Sequence, residues 1–267
     1  ARELAYDLGT CGPGACVWPG SLRVVWQVAW DLGVCAWPGS LRVTRELASG
    51  LAAVHYGYQT FVALGVSGVG TISSDDNAST WTSINNPDTS TADLWGVVSG
   101  NNVFVVVGQS GLIISSPDNA SSWTARSSGY TDKNFWDVAF GNNKFIAVGD
   151  SGKIIVSSDN GTSWDNVTSG VTVTLNAVHF NNGVFVAGGR TGTLITSSDN
   201  GTTWIPRTSG TSILHLLDLT SDYSGAIFGT YSANGLIIKS SDNGTSWSSS
   251  AAPEILHWRG INAGRIK

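Results

Sequence analysis

The sequence predicts an all-β chain, and three observations carry that prediction. A short phrase recurs five times, as SSDDNASTW ending at Trp81, SSPDNASSW at Trp123, SSDNGTSW at Trp164, SSDNGTTW at Trp204 and SSDNGTSW at Trp247, so its tryptophans fall 42, 41, 40 and 43 residues apart. A period of that size marks a radial or stacked repeat architecture. Between copies the text reads as strand, turn, strand, turn, strand, with a fourth strand after the phrase. Runs such as Val103-Phe104-Val105-Val106-Val107 and Val184-Phe185-Val186-Ala187 are apolar on both faces, as strands covered on either side by neighbouring sheets should be. Four strands per ~40 residues, set about a common axis, is the β-propeller solution to exposed sheet edges.

The phrase has a physical reason in each letter. In Ser157 to Trp164 the carboxylate of Asp159 can accept backbone N–H groups, Asn160-Gly161 tolerates the positive φ of a tight hairpin, and Thr162 and Ser163 offer hydroxyls. The tryptophan packs the turn onto its blade. Ala78 and Ala120 replace the glycine in two copies, so the turn does not depend on glycine alone, and the spacing before Trp81 implies a bulge or longer turn in the first blade. Asp76, Asp118, Asp159, Asp199 and Asp242, with Trp81, Trp123, Trp164, Trp204 and Trp247, are therefore read as structural.

Complete blades are expected at about 51–86, 93–127, 134–168, 173–209 and 213–250, with 51–267 as the propeller domain. Ile255–Asn262 reads as the first strand of a sixth blade, and segments 22–30 and 40–44 could supply its remaining strands. Six blades are favoured, with seven as the alternative, the ring closed by N- and C-terminal strands. Residues 1–50 hold all three cysteines (Cys11, Cys16, Cys35) and an internal duplication of Trp-Pro-Gly-Ser-Leu-Arg-Val, but no copy of the phrase. They are closing strands, an attachment arm, or a divergent stretch. The Cys11–Cys16 spacing allows a small disulfide loop, yet Cys35 is left over and the redox compartment stays open.

The five boxes resemble the Asp-box, or BNR, repeat S-x-D-x-G-x-[ST]-W. The linking text FIAVGDSGKIIVSSDNGTSW, residues 145–164, is similar to photosystem II stability/assembly factor-like propellers and to repeats in bacterial and phage surface proteins. The resemblance covers roughly residues 51–265 and implies the propeller fold. It does not imply one activity, since such repeats occur in sialidases, other glycosidases, assembly factors, sorting receptors and virion proteins.

Composition excludes several functions. A net charge of −5 with 14 Lys plus Arg, none clustered, argues against nucleic acid, which needs a basic stripe. No apolar run is long enough for a membrane span. Charged residues make up only 12%, a profile that points to an extracellular or virion-surface setting. No signal peptide is visible, and a chain starting at Ala1 without methionine suggests a processed or partial N-terminus.

A sialidase-type reading needs three converging arginines and a glutamate-activated tyrosine. Residues 51–250 contain no glutamate, and their only arginines are Arg126, Arg190 and Arg207, the first and last on expected outer strands. Two-aspartate glycoside hydrolysis stays open, although the aspartates outside the boxes form no recognisable pair. His55 and His179 share a register on first strands, where a metal site is conceivable and structural histidines are the simpler reading. The Asn-x-Ser/Thr sequons are the turn asparagines of the boxes. Neither a metal, calcium included, nor a cofactor is implied.

A binding site is expected on the face opposite the boxes, where the second-to-third strand loops and the interblade linkers gather and vary between repeats. Its candidates are Gln109, Tyr130, Asp132, Lys133, Asp150 and Arg190, with the linker 128–134 the most ligand-like. The functional expectation is a non-catalytic propeller that contacts protein or glycan, as part of a larger assembly on an extracellular or virion structure. A glycoside hydrolase is the second reading and a photosystem-type assembly factor the third.

Overall fold

The computed structural model describes residues 51–65, 71–75, 80–84, 92–210, 214–231 and 236–251. The box residue Asp76, the expected bulge in its turn, residues 1–50, Ile255–Asn262 and the 232–234 loop lie outside these residues. The described strands form five four-stranded antiparallel sheets. Blade one holds β1 (Leu51–Gly57), β2 (Thr60–Gly65), β3 (Thr71–Ser74) and β4 (Thr82–Ile84). Blade two holds β5 (Leu94–Gly100), β6 (Val103–Gly108), β7 (Ile113–Ser116) and β8 (Thr124–Arg126). Blade three holds β9 (Phe135–Gly141), β10 (Lys144–Gly149), β11 (Ile154–Ser157) and β12 (Asp165–Val167). Blade four holds β13 (Leu175–Asn181), β14 (Val184–Gly189), β15 (Leu194–Ser197) and β16 (Ile205–Arg207). Blade five holds β17 (Leu216–Ser221), β18 (Ile227–Tyr231), β19 (Leu236–Ser240) and β20 (Ser248–Ala251). In every sheet the spatial order follows the chain order.

The blades fan out from their first strands. β1, β5, β9, β13 and β17 pack side by side, and the second strand of each of the first four blades meets the first strand of the next. The fourth strands β8, β12 and β16 are largely exposed. The apolar runs account for this layout. All of β6 is buried, and clusters such as Ile146, Val156, Leu175, Phe185 and Trp204 draw side chains from two successive blades. The core therefore lies between sheets, as the two-sided apolar strands require.

Polar staples join neighbouring first strands. His55 Nε2 lies 2.8 Å from Ser99 Oγ and 3.1 Å from the Ser99 amide, which donates to it. His179 Nε2 lies 3.0 Å from Ser221 Oγ. Buried Asp137 accepts the amides of Val138 in its own strand and Val178 in the next blade, at 2.8 and 2.9 Å. The two histidines that shared a register thus each tie one blade to the next. Among the described residues no group of three or more His, Cys, Asp or Glu could hold a metal.

The first hairpin of each of blades two to four is a two-residue turn with both residues at positive φ, as in Asn142 (47°) and Asn143 (59°). Asparagine tolerates that conformation, and the mirror-image turn matches the strand twist. The box turn uses Asn160 at 59° and Gly161 at 76°. The turn asparagine reaches across blades as well: Asn101 Nδ2 donates to Asn160 Oδ1 at 3.0 Å, and Asn142 Nδ2 to Asn200 Oδ1 at 2.8 Å. First hairpins and boxes therefore share one face.

Candidate functional site

The box face is closed by its own hydrogen bonds. In blade three Asp159 Oδ1 accepts the Ser157 hydroxyl (2.8 Å) and the Ser163 amide (2.9 Å), while Oδ2 accepts the Ser163 hydroxyl (2.6 Å). The Ser157 oxygen in turn accepts the Gly161 amide at 2.9 Å. Asp118, Asp199 and Asp242 repeat the pattern through Ser116 and Ser122, Ser197 and Thr203, and Ser240 and Ser246. For Asp159 burial pushes the carboxyl up, but the Ser163 hydroxyl and amide outweigh it and hold the group at about 2. The Thr203 and Ser246 hydroxyls lead the same lowering, to about 2, at Asp199 and Asp242. With these oxygens engaged by the turn, the box aspartates act as structural pins. Trp164, Trp204 and Trp247 close each turn by donating to the carbonyls of Gly161, Gly201 and Gly244 at 3.3, 3.1 and 3.0 Å.

The opposite face is built from linkers and from three short turns between second and third strands, Gln109–Gly111, Asp150–Gly152 and Arg190–Gly192. Each turn is bolted to the linker that precedes an inner strand. Gln109, Asp150 and Arg190 donate their amides to the carbonyls of Asp93, Asn134 and Thr174, all at 2.9 Å. Their central residues Ser110, Ser151 and Thr191 sit at φ of 54–56°, a strained conformation for non-glycine residues that only a fixed surrounding sustains.

Every first strand enters this face through a β-bulge at its second residue. Pairing skips one position between Leu51 and Ala53, Leu94 and Gly96, Phe135 and Asp137, Leu175 and Ala177, and Leu216 and Asp218. The skipped residues are Ala52, Trp95, Trp136, Asn176 and Leu217, all partly exposed. A bulge frees its residue from the pleat and re-aims its side chain, so five re-aimed side chains of four types stand at equivalent points of the inner strands. Trp95 and Trp136 use this freedom to stack across the blade boundary, ring centroids 4.2 Å apart and planes 18° from parallel.

Asp150 organises the ground around that pair. Its Oδ1 accepts the Trp136 indole N–H at 2.8 Å and its Oδ2 the Asn134 amide at 3.1 Å. Asn134 Oδ1 accepts the Ser110 amide at 3.0 Å, Asn176 Nδ2 donates to the Leu216 carbonyl at 2.7 Å, and the Thr191 amide donates to His215 Nδ1 at 3.2 Å. The Trp136 N–H is thereby engaged, whereas the Trp95 N–H makes no hydrogen bond among the described residues and is not buried.

The structure separates the six residues expected to meet a ligand. Asp150 lies beside the stacked tryptophans, and Gln109, whose Oε1 accepts the Asp93 amide at 3.2 Å, occupies the matching turn of blade two. Arg190 is exposed on the matching turn of blade four. Tyr130 packs its ring against Phe135 and reaches the outer strand: its hydroxyl donates to Asn166 Oδ1 on β12 at 2.6 Å, and Lys153 Nζ stands 5.0 Å from its ring centre. Asp132 and Lys133 pair with each other at 2.9 Å, and that contact lowers the Asp132 carboxyl and raises the Lys133 ammonium. Arg126 and Arg207 are held on outer strands by Ser115 Oγ and Thr196 Oγ1, both at 2.8 Å. Trp95, Trp136 and Asn176, which the structure places on this face, are not among the sequence candidates. The available signal was a bulky or amide residue at the second position of an inner strand, where the other repeats carry Ala52 or Leu217.

No protein-family model matches the chain, and no curated protein sequence matches it. Solved structures do. The chain is similar to "YCF48 bound to D1 peptide" at 17% identity and a TM-score of 0.58, covering 78% of this chain and 67% of that one. It is similar to an ancestral GH74 enzyme at 18% identity and 0.62, covering 80% of this chain but only 32% of that one. It is similar to a streptogramin B lyase at 13% identity and 0.71, covering 82% and 74%. At these identities the likeness shows the fold, which is a β-propeller. Among the described residues no helix is long and apolar enough to cross a membrane.

Proposed function

We propose that the chain is a non-catalytic binding module that contacts protein or glycan through the linker face. The observation that carries this reading is the engagement of Asp150. The carboxylate nearest the stacked tryptophans already accepts an indole N–H and a backbone amide, so it serves to hold a surface in shape. Glycoside hydrolysis would need a second carboxyl about 5 to 10 Å from the first, across a substrate, and the pinned box aspartates belong to the other face. The likeness to a propeller that carries a peptide gives protein contact a footing, and the tryptophan pair gives glycan contact one. The low charge content supports an extracellular or virion-surface setting, and a place in a larger assembly is part of the same proposal.

The same reading takes the ring as six-bladed, closed by residues 1–50 and 252–267. Tyr56 supports it. The equivalent aromatic residues Phe140 and Phe180 pack against Gly100 and Gly141 of the preceding blades, whereas Tyr56, with no described blade before it, is 36% exposed. Removing residues 1–50 is expected to speed hydrogen exchange in β1 above that in β9. Equal protection in both strands would refute closure by that segment.

Incubation of the full chain with neutral and sialylated oligosaccharides, followed by assay of reducing ends, tests the absence of catalysis. No release is expected. Release that disappears in Asp150→Asn would replace the binding module with a hydrolase.

A further inference from the structure

We infer that the Trp95–Trp136 pair is a carbohydrate platform, with the outer face of Trp95 stacking on the C–H face of a neutral pyranose unit above Ala52. This rests on the binding-module reading and names its ligand class. Three features converge on it. The first is the bulge at residue 95, which lifts the indole out of the sheet pleat and lays one face on Trp136. Its other face turns toward blade one, where the equivalent bulge holds Ala52, the smallest residue of the five. The series thus places its largest side chain one blade from its smallest.

The second feature is hydrogen-bonding capacity. The Trp136 N–H is consumed by Asp150, which fixes the lower ring of the stack. The Trp95 N–H has no partner among the described residues and is not buried, so it stands ready to donate to a sugar oxygen. Binding sites of this kind pair an apolar plate with a few placed polar groups. The rim supplies them from exposed Gln109, Ser110 and Ser151, which can donate to and accept from hydroxyls.

The third feature is charge. An anionic sugar would need a basic clamp, yet Lys133 is paired with Asp132 and the charge beside the stack is the carboxylate of Asp150. That arrangement favours a neutral sugar. A flat protein partner would call for large exposed apolar residues, and those among the described residues are Tyr56, Ile205 and Tyr223. Tyr223 lies in the first hairpin turn of blade five and Ile205 on outer strand β16, both away from the linker turns.

The test uses the full chain, titrated with cello-, xylo-, malto-, manno- and chito-tetraose and with a proline-rich decapeptide, and read by tryptophan fluorescence and calorimetry. At least one tetraose is expected to saturate with a Kd below about 1 mM. Trp95→Ala and Ala52→Trp are each expected to weaken it about tenfold or more, with Trp95→Phe intermediate. Ala52→Trp keeps both tryptophans and fills the space, so the inference stays testable should Trp95→Ala fail to fold. No tetraose binding at about 10 mM, or binding unchanged by both Trp95→Ala and Ala52→Trp, would overturn the platform and leave the non-catalytic reading intact. Saturation by the decapeptide alone, lost in the same variants, would overturn the sugar assignment in favour of a peptide. Cleavage of a bound tetraose would instead overturn the non-catalytic reading and leave the platform standing.

Discussion

Asp159 and Asp150 are both aspartates in turns of blade three, each accepting hydrogen bonds from the chain around it, yet they stand on opposite faces. Asp159 takes its donors from within seven residues of its own turn, and the same bonds recur in each box described in full. Asp150 takes its donors from Asn134, Trp136 and Thr174, on two linkers and an inner strand 14 to 24 residues away. The equivalent positions in blades two and four hold Gln109 and Arg190. The first face is specified locally and repeats because any other residue would leave turn amides unpaired. The second is specified by contacts between elements, so each blade can differ without loosening the packing between blades. Function grafted onto a repeat fold belongs where repetition is not enforced.

Acid should have the largest effect and fall on the box face, because it reaches several boxes at once. Asp159, Asp199 and Asp242 have folded-state values near 2, below the ordinary carboxylate value of about 3.9. A depressed folded value contributes stability that is present above the unfolded pKa and lost as pH falls through the folded one. Tm is therefore expected to stay level down to about pH 4 and to fall between about pH 4 and pH 2. The donors are neutral hydroxyls and amides, so about 1 M salt should leave the fall in place, whereas one caused by lost ion pairs would already be blunted at neutral pH. A level Tm down to pH 2 would show that the box carboxylates carry no stability.

Gly152 should show a large single-site effect. A Cβ there would sit 2.1 Å from the Val171 carbonyl oxygen, and the residue holds φ of +69°, so both the linker and the turn would have to move. Gly152→Ala is expected to cost about 2 to 3 kcal/mol in urea unfolding. It should also disturb the linker face while leaving the box face intact. A cost under about 0.5 kcal/mol would mean that the turn is not bolted to the linker.

The paired substitutions Asp159→Ala and Asp150→Ala sharpen the contrast directly. The first strips four donors of their acceptor at an exposed turn and is expected to cost about 2 kcal/mol after screening. The second releases the Trp136 indole and the Asn134 amide, both with access to water, for about 1 kcal/mol. Its main effect should be on the linker face, seen as a red shift in tryptophan emission as the stacked pair loosens. Equal costs without that shift would erase the distinction between the faces.

How much of this was legible in the sequence follows the same division. The boxes, the strand order and the outward arginines could be read because their causes lie within ten residues: Asn160-Gly161 sets a turn, Trp164 closes it, and Arg126 sits on the next short strand. The stacking of Trp95 on Trp136 was not legible. It depends on a bulge in each of two strands 41 residues apart and on the offset between blades, neither of which alternation reveals. Tyr130 shows the converse case. An aromatic in a variable linker between charges reads as a ligand contact, but Gly129, at φ of +78°, turns the chain so that the ring covers Phe135 and its hydroxyl meets Asn166.

The smallest expected effect concerns a box that departs from its own pattern. Ala120 holds φ of +65° where Gly161 holds +76°, and the Trp123 indole N–H is buried without a partner, whereas Trp164, Trp204 and Trp247 reach the glycine carbonyl of their turns. Ala120→Gly removes about 1 kcal/mol of left-handed strain and gives the chain room to close the indole bond, for about 1 kcal/mol more. Against this stand one buried methyl, about 0.8 kcal/mol, and the greater freedom of glycine in the unfolded chain, about 0.7 kcal/mol. The balance favours the glycine variant by about 0.5 kcal/mol, a rise of about 1 °C in Tm for a chain of this size. The indole proton gives the sharper readout: its amide-region NMR signal should move downfield and exchange more slowly in the variant. A stabilised variant with that signal unmoved would locate the strain in the backbone alone, and a destabilised one would show that the methyl, packed with Val62 and Leu64 of the preceding blade, outweighs the turn.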